Sequence, residues 1–279
     1  MVPERARRML VTLEYMTLVT TTVTDGIAQV RLNRPEKLNA LTLDLLAELV
    51  ATARTLGRDT SLRAVVLAGE GDAFSAGLDF ASVLTEPRKM WASFAPRPWR
   101  GTNTFQEAAW AWRRVPVPVI AAVEGHCLGG GVQIALGADF RFATPDSTWS
   151  VLEGKWGIIP DMSGVRSLAE LVGIDTAKRL TMTAQMFSGT EARELGLVTE
   201  LSADPVASAT AFARQLTERS PDALAAAKRL FNDTWHASPR RTFARERLEQ
   251  LKLLIGANAK IAQKAAFKKE SPVYRPRQR

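Results

Sequence analysis

Two glycine-rich turns hold the residue types from which chemistry could be built. Gly125-His126-Cys127-Leu128-Gly129-Gly130-Gly131 follows the apolar run Val117–Val123 and passes into an apolar segment of helical character. Gly69-Glu70-Gly71-Asp72-Ala73-Phe74-Ser75-Ala76-Gly77-Leu78-Asp79 follows a second apolar run, Ala64-Val65-Val66-Leu67. Glycine opens backbone dihedrals closed to other residues and leaves no side chain over the amides. The first turn of a helix adds N–H groups without internal partners, and the helix dipole adds positive potential there. If the two turns face one another, each can offer one N–H to the same oxygen. That arrangement is an oxyanion hole for a thioester or ester carbonyl. The same turns can also serve only to pack a helix tightly against a strand.

Other chemistry finds little support. His126 and Cys127 are adjacent in a strand-to-turn segment, so their side chains point to opposite sides and make no nucleophilic pair. His236 sits in a helical stretch without a neighbouring Cys or His. No cluster with metal-ligand spacing occurs, and the glycines match neither the Walker pattern nor the dinucleotide fingerprint.

The elements that must position these turns can be traced along the chain. Leu18–Val23 and Ile27–Leu32 are β-rich runs split by Asp25-Gly26, which predicts a hairpin. Thr42 reads as the cap of a helix running to about Leu56, with Leu43, Leu46, Leu49 and Val50 on its apolar face. Arg63–Ala68 and Val117–Val123 read as strands buried on both faces. Residues 86–114 break the rhythm with three prolines and four tryptophans before a helix around 103–113. That stretch is either a lid whose aromatics line an apolar pocket or an amphipathic helix using tryptophan as core. Short strands are expected at Asp139–Ala143, Thr148–Val151 and Leu197–Leu201. Four helical segments follow, at 204–219, 221–236, 239–255 and 257–269. Strand–strand–helix units with a helical end argue for an α/β fold with stacked sheets. We divide the chain into a basic leader (1–16), a core (17–203) and a C-terminal helical lobe (204–279).

Of the 279 residues, 46% are hydrophobic and 24% charged, as in soluble globular proteins. No apolar run approaches the roughly 20 residues that span a membrane. The single cysteine excludes intramolecular disulfides and fits a reducing cytosol, so the expected location is cytoplasmic. The net charge of +8 is concentrated at the ends. Residues 260–279 hold seven Lys/Arg against Glu270, and residues 1–10 hold three Arg against Glu4. Tails of this kind are ordinarily solvated, so nucleic acid is not the expected partner.

Three stretches together resemble the signatures of the crotonase (enoyl-CoA hydratase/isomerase) family: Asn33–Leu41, Ala73–Asp79 and Gly125–Gly131. They come in the family's order and spacing, with similarity from about residue 17 to 270. The resemblance implies a crotonase-like β/α spiral core and a homotrimer or a hexamer made as a dimer of trimers. It implies acyl-CoA thioesters as ligands, with coenzyme A entering as part of the substrate and no separate cofactor or metal. By the resemblance, Leu78 and Gly130 give the oxyanion amides. Lys37, Leu38, Ala40 and the Ala76 carbonyl lie against the nucleotide, with Asp79 counted beside them. Arg34 or Lys37 could meet phosphate. Phe267, Lys268 and Lys269 match the part of the final helix that contacts coenzyme A, often that of a neighbouring subunit. The basic tail could then attract a phosphate-rich ligand, although solvation is the expectation beyond Glu270.

The resemblance also places Gln133 and Glu153 where family hydratases carry two glutamates. Glutamine has no titratable proton, so Gln133 can orient substrate or water but cannot shuttle protons. Hydration is therefore expected to be impaired, leaving slow hydration or a non-catalytic acyl-CoA-binding homologue as alternatives. Shifting a double bond needs less: one base takes a proton from C2, the oxyanion hole holds the enolate, and an acid returns the proton further along. Glu153 could do this alone. Asp161, eight residues on, could share a proton with it if both face one pocket; otherwise Asp161 is a helix N-cap after Pro160. The expected reaction is isomerisation of 3-enoyl- or 3,5-dienoyl-CoA.

Overall fold

In the computed structural model, which describes residues 17–278, the chain opens with the expected hairpin. The leader at 1–16 lies outside the described residues. β1 (Val19–Thr24) pairs antiparallel with β2 (Ile27–Leu32) around Asp25 and Gly26, whose φ angles are 53° and 76°. Positive φ at both central positions matches strand twist in a tight hairpin. α1 (Leu43–Arg58) is capped by Thr42 Oγ1, which accepts from the Leu45 amide at 3.2 Å. β3 (Ala64–Gly69) is almost wholly buried. The first glycine turn then leads through β4 (Ala73–Ser75) into α2 (Phe80–Leu84), α3 (Pro87–Phe94) and α4 (Thr104–Arg114).

β5 (Val119–Val123) is buried throughout, and β6 (His126–Leu128) leads the second glycine turn into α5 (Gly130–Leu136). β7 (Phe140–Ala143) and β8 (Thr148–Ser150) follow, and a 3-10 turn at Leu152–Trp156 carries Glu153. Next come α6 (Gly164–Leu171), α7 (Ile174–Thr183), β9 (Phe187–Ser188), α8 (Gly189–Glu194) and β10 (Glu200–Leu201). The chain closes with α9 (Pro205–Thr217), α10 (Pro221–Thr234), α11 (Pro239–Ile255) and α12 (Ala257–Lys268). The strand expected over Leu197–Leu201 shortens to two residues, because Leu197 and Val198 are buried among the helices while their amides bond back to Ala192.

The strands form two sheets, ordered β1-β2-β3-β5-β7-β10 and β4-β6-β8-β9. Each glycine turn carries the chain from a strand of the large sheet (β3 or β5) to a strand of the small one (β4 or β6). β4 and β6 pair in parallel, so the two turns emerge side by side. One core lies between the sheets and α1, α4 and α5. On the large sheet's other face, Ala209 and Ala213 of α9 pack against Val66, Ile120 and Phe142. α9, counted with the C-terminal lobe on sequence, thus covers the sheet.

The lobe is tied inward by buried Lys228 on α10, whose Nζ meets Asp139 Oδ2 at 2.7 Å and the carbonyls of Trp112 and Val117 at 3.0 Å. The segment beyond Glu270 is not merely solvated, as sequence suggested. Arg277 is 6% exposed; its amide donates to Thr60 O at 2.9 Å and its Nη2 to Asp59 O at 3.2 Å. No helix among the described residues is long and apolar enough to cross a membrane.

Candidate active site

The two glycine turns meet. Gly77 adopts φ 90°, and a Cβ built there would lie 2.9 Å from the Leu128 carbonyl oxygen. Only glycine allows both that dihedral and that approach. Leu78, the next residue, bridges Leu41: the Leu41 amide donates to Gly77 O at 2.8 Å and the Asp79 amide to Leu41 O at 3.0 Å. Gly130 opens α5, and a Cβ there would crowd Leu41 Cδ1 at 2.8 Å and Met162 Sδ at 2.9 Å. The amides of Leu78 and Gly130 donate to no acceptor among the described residues. Both residues line one cavity of about 780 Å³, a size that suits a small-molecule ligand.

The loop from Arg34 to Leu41 is braced by a side chain that sequence reading missed. Asn39 is fully buried with φ 53°; its Nδ2 donates to Ala73 O at 2.7 Å and Glu70 O at 2.9 Å. Its Oδ1 accepts from the Arg34 amide at 2.8 Å. Ser75 Oγ donates to Asn39 O at 2.8 Å and accepts from the Gly77 amide at 3.2 Å. An asparagine with positive φ beside a glycine turn was the available signal.

Several expected ligand contacts find other uses. Asp79 does not line the cavity. Its Oδ2 meets Arg34 Nη1 and Nη2 at 3.2 Å, and its Oδ1 caps α2 by accepting from Ser82 N at 3.1 Å. Arg34 is thereby held in a structural pair instead of standing free for phosphate. Lys37 and Leu38 are exposed on the loop, and Leu38 takes φ 49° at the end of a 3-10 turn. Ala40 is half-buried, and its carbonyl accepts from Arg34 Nη1. Ala76 lines the cavity; its amide is bound to Leu38 O at 2.8 Å, while its carbonyl meets no donor among the described residues. Phe267, Lys268 and Lys269 end α12 as exposed residues and do not line this chain's cavity.

The carboxylates do converge. Glu153 and Asp161 both line the cavity. A Cβ on Gly129 would lie 3.4 Å from Glu153 Oε1, so the carboxylate stands against the second glycine turn. Glu153 is 6% exposed, and burial pushes its carboxyl above the usual range, with the nearby Asp161 charge adding to the rise. Burial pushes Asp161 upward as well. Asp161 is not the N-cap of α6. Ser163 occupies that position, with φ 68° and no side-chain capping bond.

Gln133 does not touch substrate space; it works from behind. It is 2% exposed and absent from the cavity lining. Its Oε1 accepts from the amides of Met162 and Gly164 at 2.8 and 2.9 Å, and its Nε2 donates to Glu153 Oε1 at 2.5 Å. One side chain therefore orients Glu153 and pins the loop after Asp161. Glu153 Oε2 is buried and meets no donor among the described residues.

The stretch at 86–114 divides its roles. Trp112 is core, whereas Met90, Phe94, Asn103 and Phe105 line the cavity. Phe94 and Phe105 stack at 4.8 Å, and Trp156 packs on Phe80 at 4.9 Å across the cavity lining. Trp91 and Trp99 are 70% and 97% exposed, so the tryptophans of this stretch are not the pocket's aromatics. Trp149 is core packing.

Stacked sheets, joined glycine turns and an apolar cavity lined by two carboxylates make up an α/β fold with one candidate active site. The chain belongs to the enoyl-CoA hydratase/isomerase family, whose model matches residues 22–269. It is 35% identical over 224 residues to the probable enoyl-CoA hydratase EchA17 of Mycobacterium tuberculosis, covering 80% of this chain and 83% of that one. It is 30% identical to the mouse mitochondrial Delta(3,5)-Delta(2,4)-dienoyl-CoA isomerase, covering 77% and 68%. The crystal structure of a putative enoyl-CoA hydratase from Streptomyces coelicolor superposes with a TM-score of 0.84 at 30% identity, covering 99% and 100%.

Proposed function

We propose that this acyl-CoA-processing enzyme moves a carbon–carbon double bond in 3-enoyl- or 3,5-dienoyl-CoA. The observation that carries the reading is the division of labour among three side chains. Gln133 cannot titrate and is engaged with Glu153 and the Met162–Gly164 loop, while Glu153 and Asp161 both face the cavity. The Glu153 carboxylate takes the proton from C2, and the electron pair moves onto the thioester oxygen. The amides of Leu78 and Gly130 hold that oxygen as charge develops. The enolate collapses as the proton returns to C4 of a 3-enoyl group, giving the 2-enoyl thioester. For a 3,5-dienoyl group a protonated Asp161 gives its proton to C6, giving the 2,4-dienoyl thioester and leaving the pair's one proton on Glu153, from which the pair re-equilibrates. Raised carboxyl pKa values suit groups that must both take and return a proton.

Coenzyme A enters as the carrier of the acyl group, with the free Ala76 carbonyl and the exposed Lys37 loop at hand for its nucleotide. The exposed Phe267, Lys268 and Lys269 suit contact with a ligand held by a neighbouring subunit of a trimer. Relatives named as hydratases favour addition of water as a second reading, and one experiment separates the two. Purified protein is given 2-enoyl-, 3-enoyl- and 3,5-dienoyl-CoA, and products are followed for wild type, Glu153→Gln and Asp161→Asn. Conversion of the 3-enoyl substrate is expected to fall about 100-fold or more in Glu153→Gln. Asp161→Asn is expected to impair the dienoyl reaction more than the enoyl one. Activity that survives Glu153→Gln, or hydration faster than isomerisation, would sink the reading.

A further inference from the structure

The cavity wall built by α2, α3 and the start of α4 is apolar except at one place. Val83, Leu84, Met90, Phe94 and Phe105 supply its surface, and Asn103 stands among them. Asn103 is 9% exposed. Its orientation is fixed by the capping box of α4: Oδ1 accepts from the Gln106 amide at 2.8 Å, and Gln106 Oε1 accepts from the Asn103 amide at 2.9 Å. Because Oδ1 faces a backbone donor, the other prong must be the NH2 group. Nδ2 donates to no acceptor among the described residues and is not sealed off by protein. A hydrocarbon chain packed over this donor would cut it off from water without supplying an acceptor, which is unfavourable.

The charges behind this wall favour an electron-rich acceptor. Arg97 Nη2 donates to Thr104 Oγ1 at 3.2 Å, immediately beside Asn103. Arg54, Arg100 and Arg114 converge on Glu107, which is fully buried. Arg97 feels those three as like charges and Glu107 as an opposite one. Four guanidinium groups around one carboxylate leave positive potential at the N-terminal end of α4, where the helix dipole has the same sign.

We propose that Asn103 Nδ2 reads an acceptor oxygen carried on the acyl group, so that the preferred thioesters bear an oxo group or a carboxylate along the chain. A plain hydrocarbon leaves this donor unmatched, and a site with an unpaired polar group discriminates against such a ligand. The inference rests on the acyl-thioester reading of the cavity and extends it to substrate class.

The test uses matched pairs of saturated acyl-CoA thioesters, equal in length and differing in one distal oxo group or carboxylate. Each pair is titrated calorimetrically against the full-length protein across a ladder of chain lengths. Saturated thioesters undergo no proton transfer, so binding reads Asn103 whether or not isomerisation is the reaction. At one length the oxygen-bearing member is expected to bind about tenfold tighter. Asn103→Asp keeps the N-cap acceptor but removes the donor, and the ratio within the oxo pair is expected to fall to about one. For the carboxylate pair it is expected to invert. Asn103→Ser, which also caps while withdrawing from the wall, is expected to lose the preference too. Binding of the thioesters without a pair preference at any length overturns this inference alone, as does a preference that persists in Asn103→Asp. Failure of every thioester to bind overturns the acyl-thioester reading with it.

Discussion

Glu153 has one oxygen tied and one free, and Gln133 decides which is which. The Gln133 amide cannot be turned round, because its Oε1 faces two backbone donors at 2.8 and 2.9 Å. Its NH2 group therefore always faces Glu153 Oε1, while Oε2 is buried and meets no donor among the described residues. The consequence is a pH profile. The base works only when ionised, and burial raises its pKa. With Glu153 as the proposed base, activity is expected above the raised value and is lost as pH falls through it, earlier than an ordinary glutamate near 4.3 would allow; a pH profile of kcat/KM measures this. Gln133→Glu sharpens the point. The introduced carboxylate could still accept from both amides, but its second oxygen would sit against Glu153 Oε1. Two carboxylates that close must share a proton. The acid limb of kcat/KM is expected to move upward by about one pH unit or more. An unmoved limb in this variant would remove Gln133 from any electrostatic role.

At the scale of the element, the proposed oxyanion geometry depends on two turns closing against each other, and Gly77 is the point of close approach next to the Leu78 amide. Gly77→Ala would force a Cβ within 2.9 Å of the Leu128 carbonyl oxygen at φ 90°. The β4–β6 register should open and carry the Leu78 amide away from the Gly130 amide. Loss of one donor lowers kcat by about 100–1,000-fold. That loss in kcat, with saturable thioester binding retained, is the expected outcome; equal kcat would argue against a two-amide hole.

These turns were legible in sequence because the signal is local: buried strand, glycines, then a helix start within a dozen residues. Glu153 and Asp161 were singled out through the family resemblance and not through a local pattern, and both line the cavity. Asp79 and Arg34 were misread because their ion pair joins residues 45 apart, and no local pattern announces it. The cavity wall at 83–105 was half-legible. Its aromatics were evident, but which of them face inward depends on how α3 and α4 pack, and phenylalanine rather than tryptophan took that place. Gln133 was read correctly as unable to titrate. Its place behind Glu153 follows from the tight turn at Ser163 and Gly164, where a Cβ on Gly164 would lie 2.6 Å from Gln133 Oε1.

At the scale of the whole molecule, the C-terminal end returns to the start of the sheet. The Arg275 amide donates to Asn258 Oδ1 at 2.9 Å and the Gln278 amide to Asp222 Oδ1 at 2.7 Å. Tyr274 lies under Arg63, with Cζ 5.7 Å from the ring centroid. With Arg277 on the carbonyls of Asp59 and Thr60, these bonds strap α10 and α12 to the loop that feeds β3. Charge attraction for a phosphate-rich ligand and mechanical strapping make different demands on Arg277. A buried guanidinium bonded to backbone oxygens contributes to stability, whereas a steering charge contributes to association and fades with salt. Arg277→Ala keeps the amide bond to the Thr60 carbonyl but leaves the Asp59 carbonyl without its guanidinium donor, at a cost of about 1–3 kcal/mol. The melting temperature should then fall by roughly 2–4 °C per kcal/mol. KM for an acyl-CoA substrate should stay within about twofold of wild type at low and at moderate salt. A rise in KM that vanishes with added salt, with the melting temperature unchanged, would instead assign Arg277 to ligand steering.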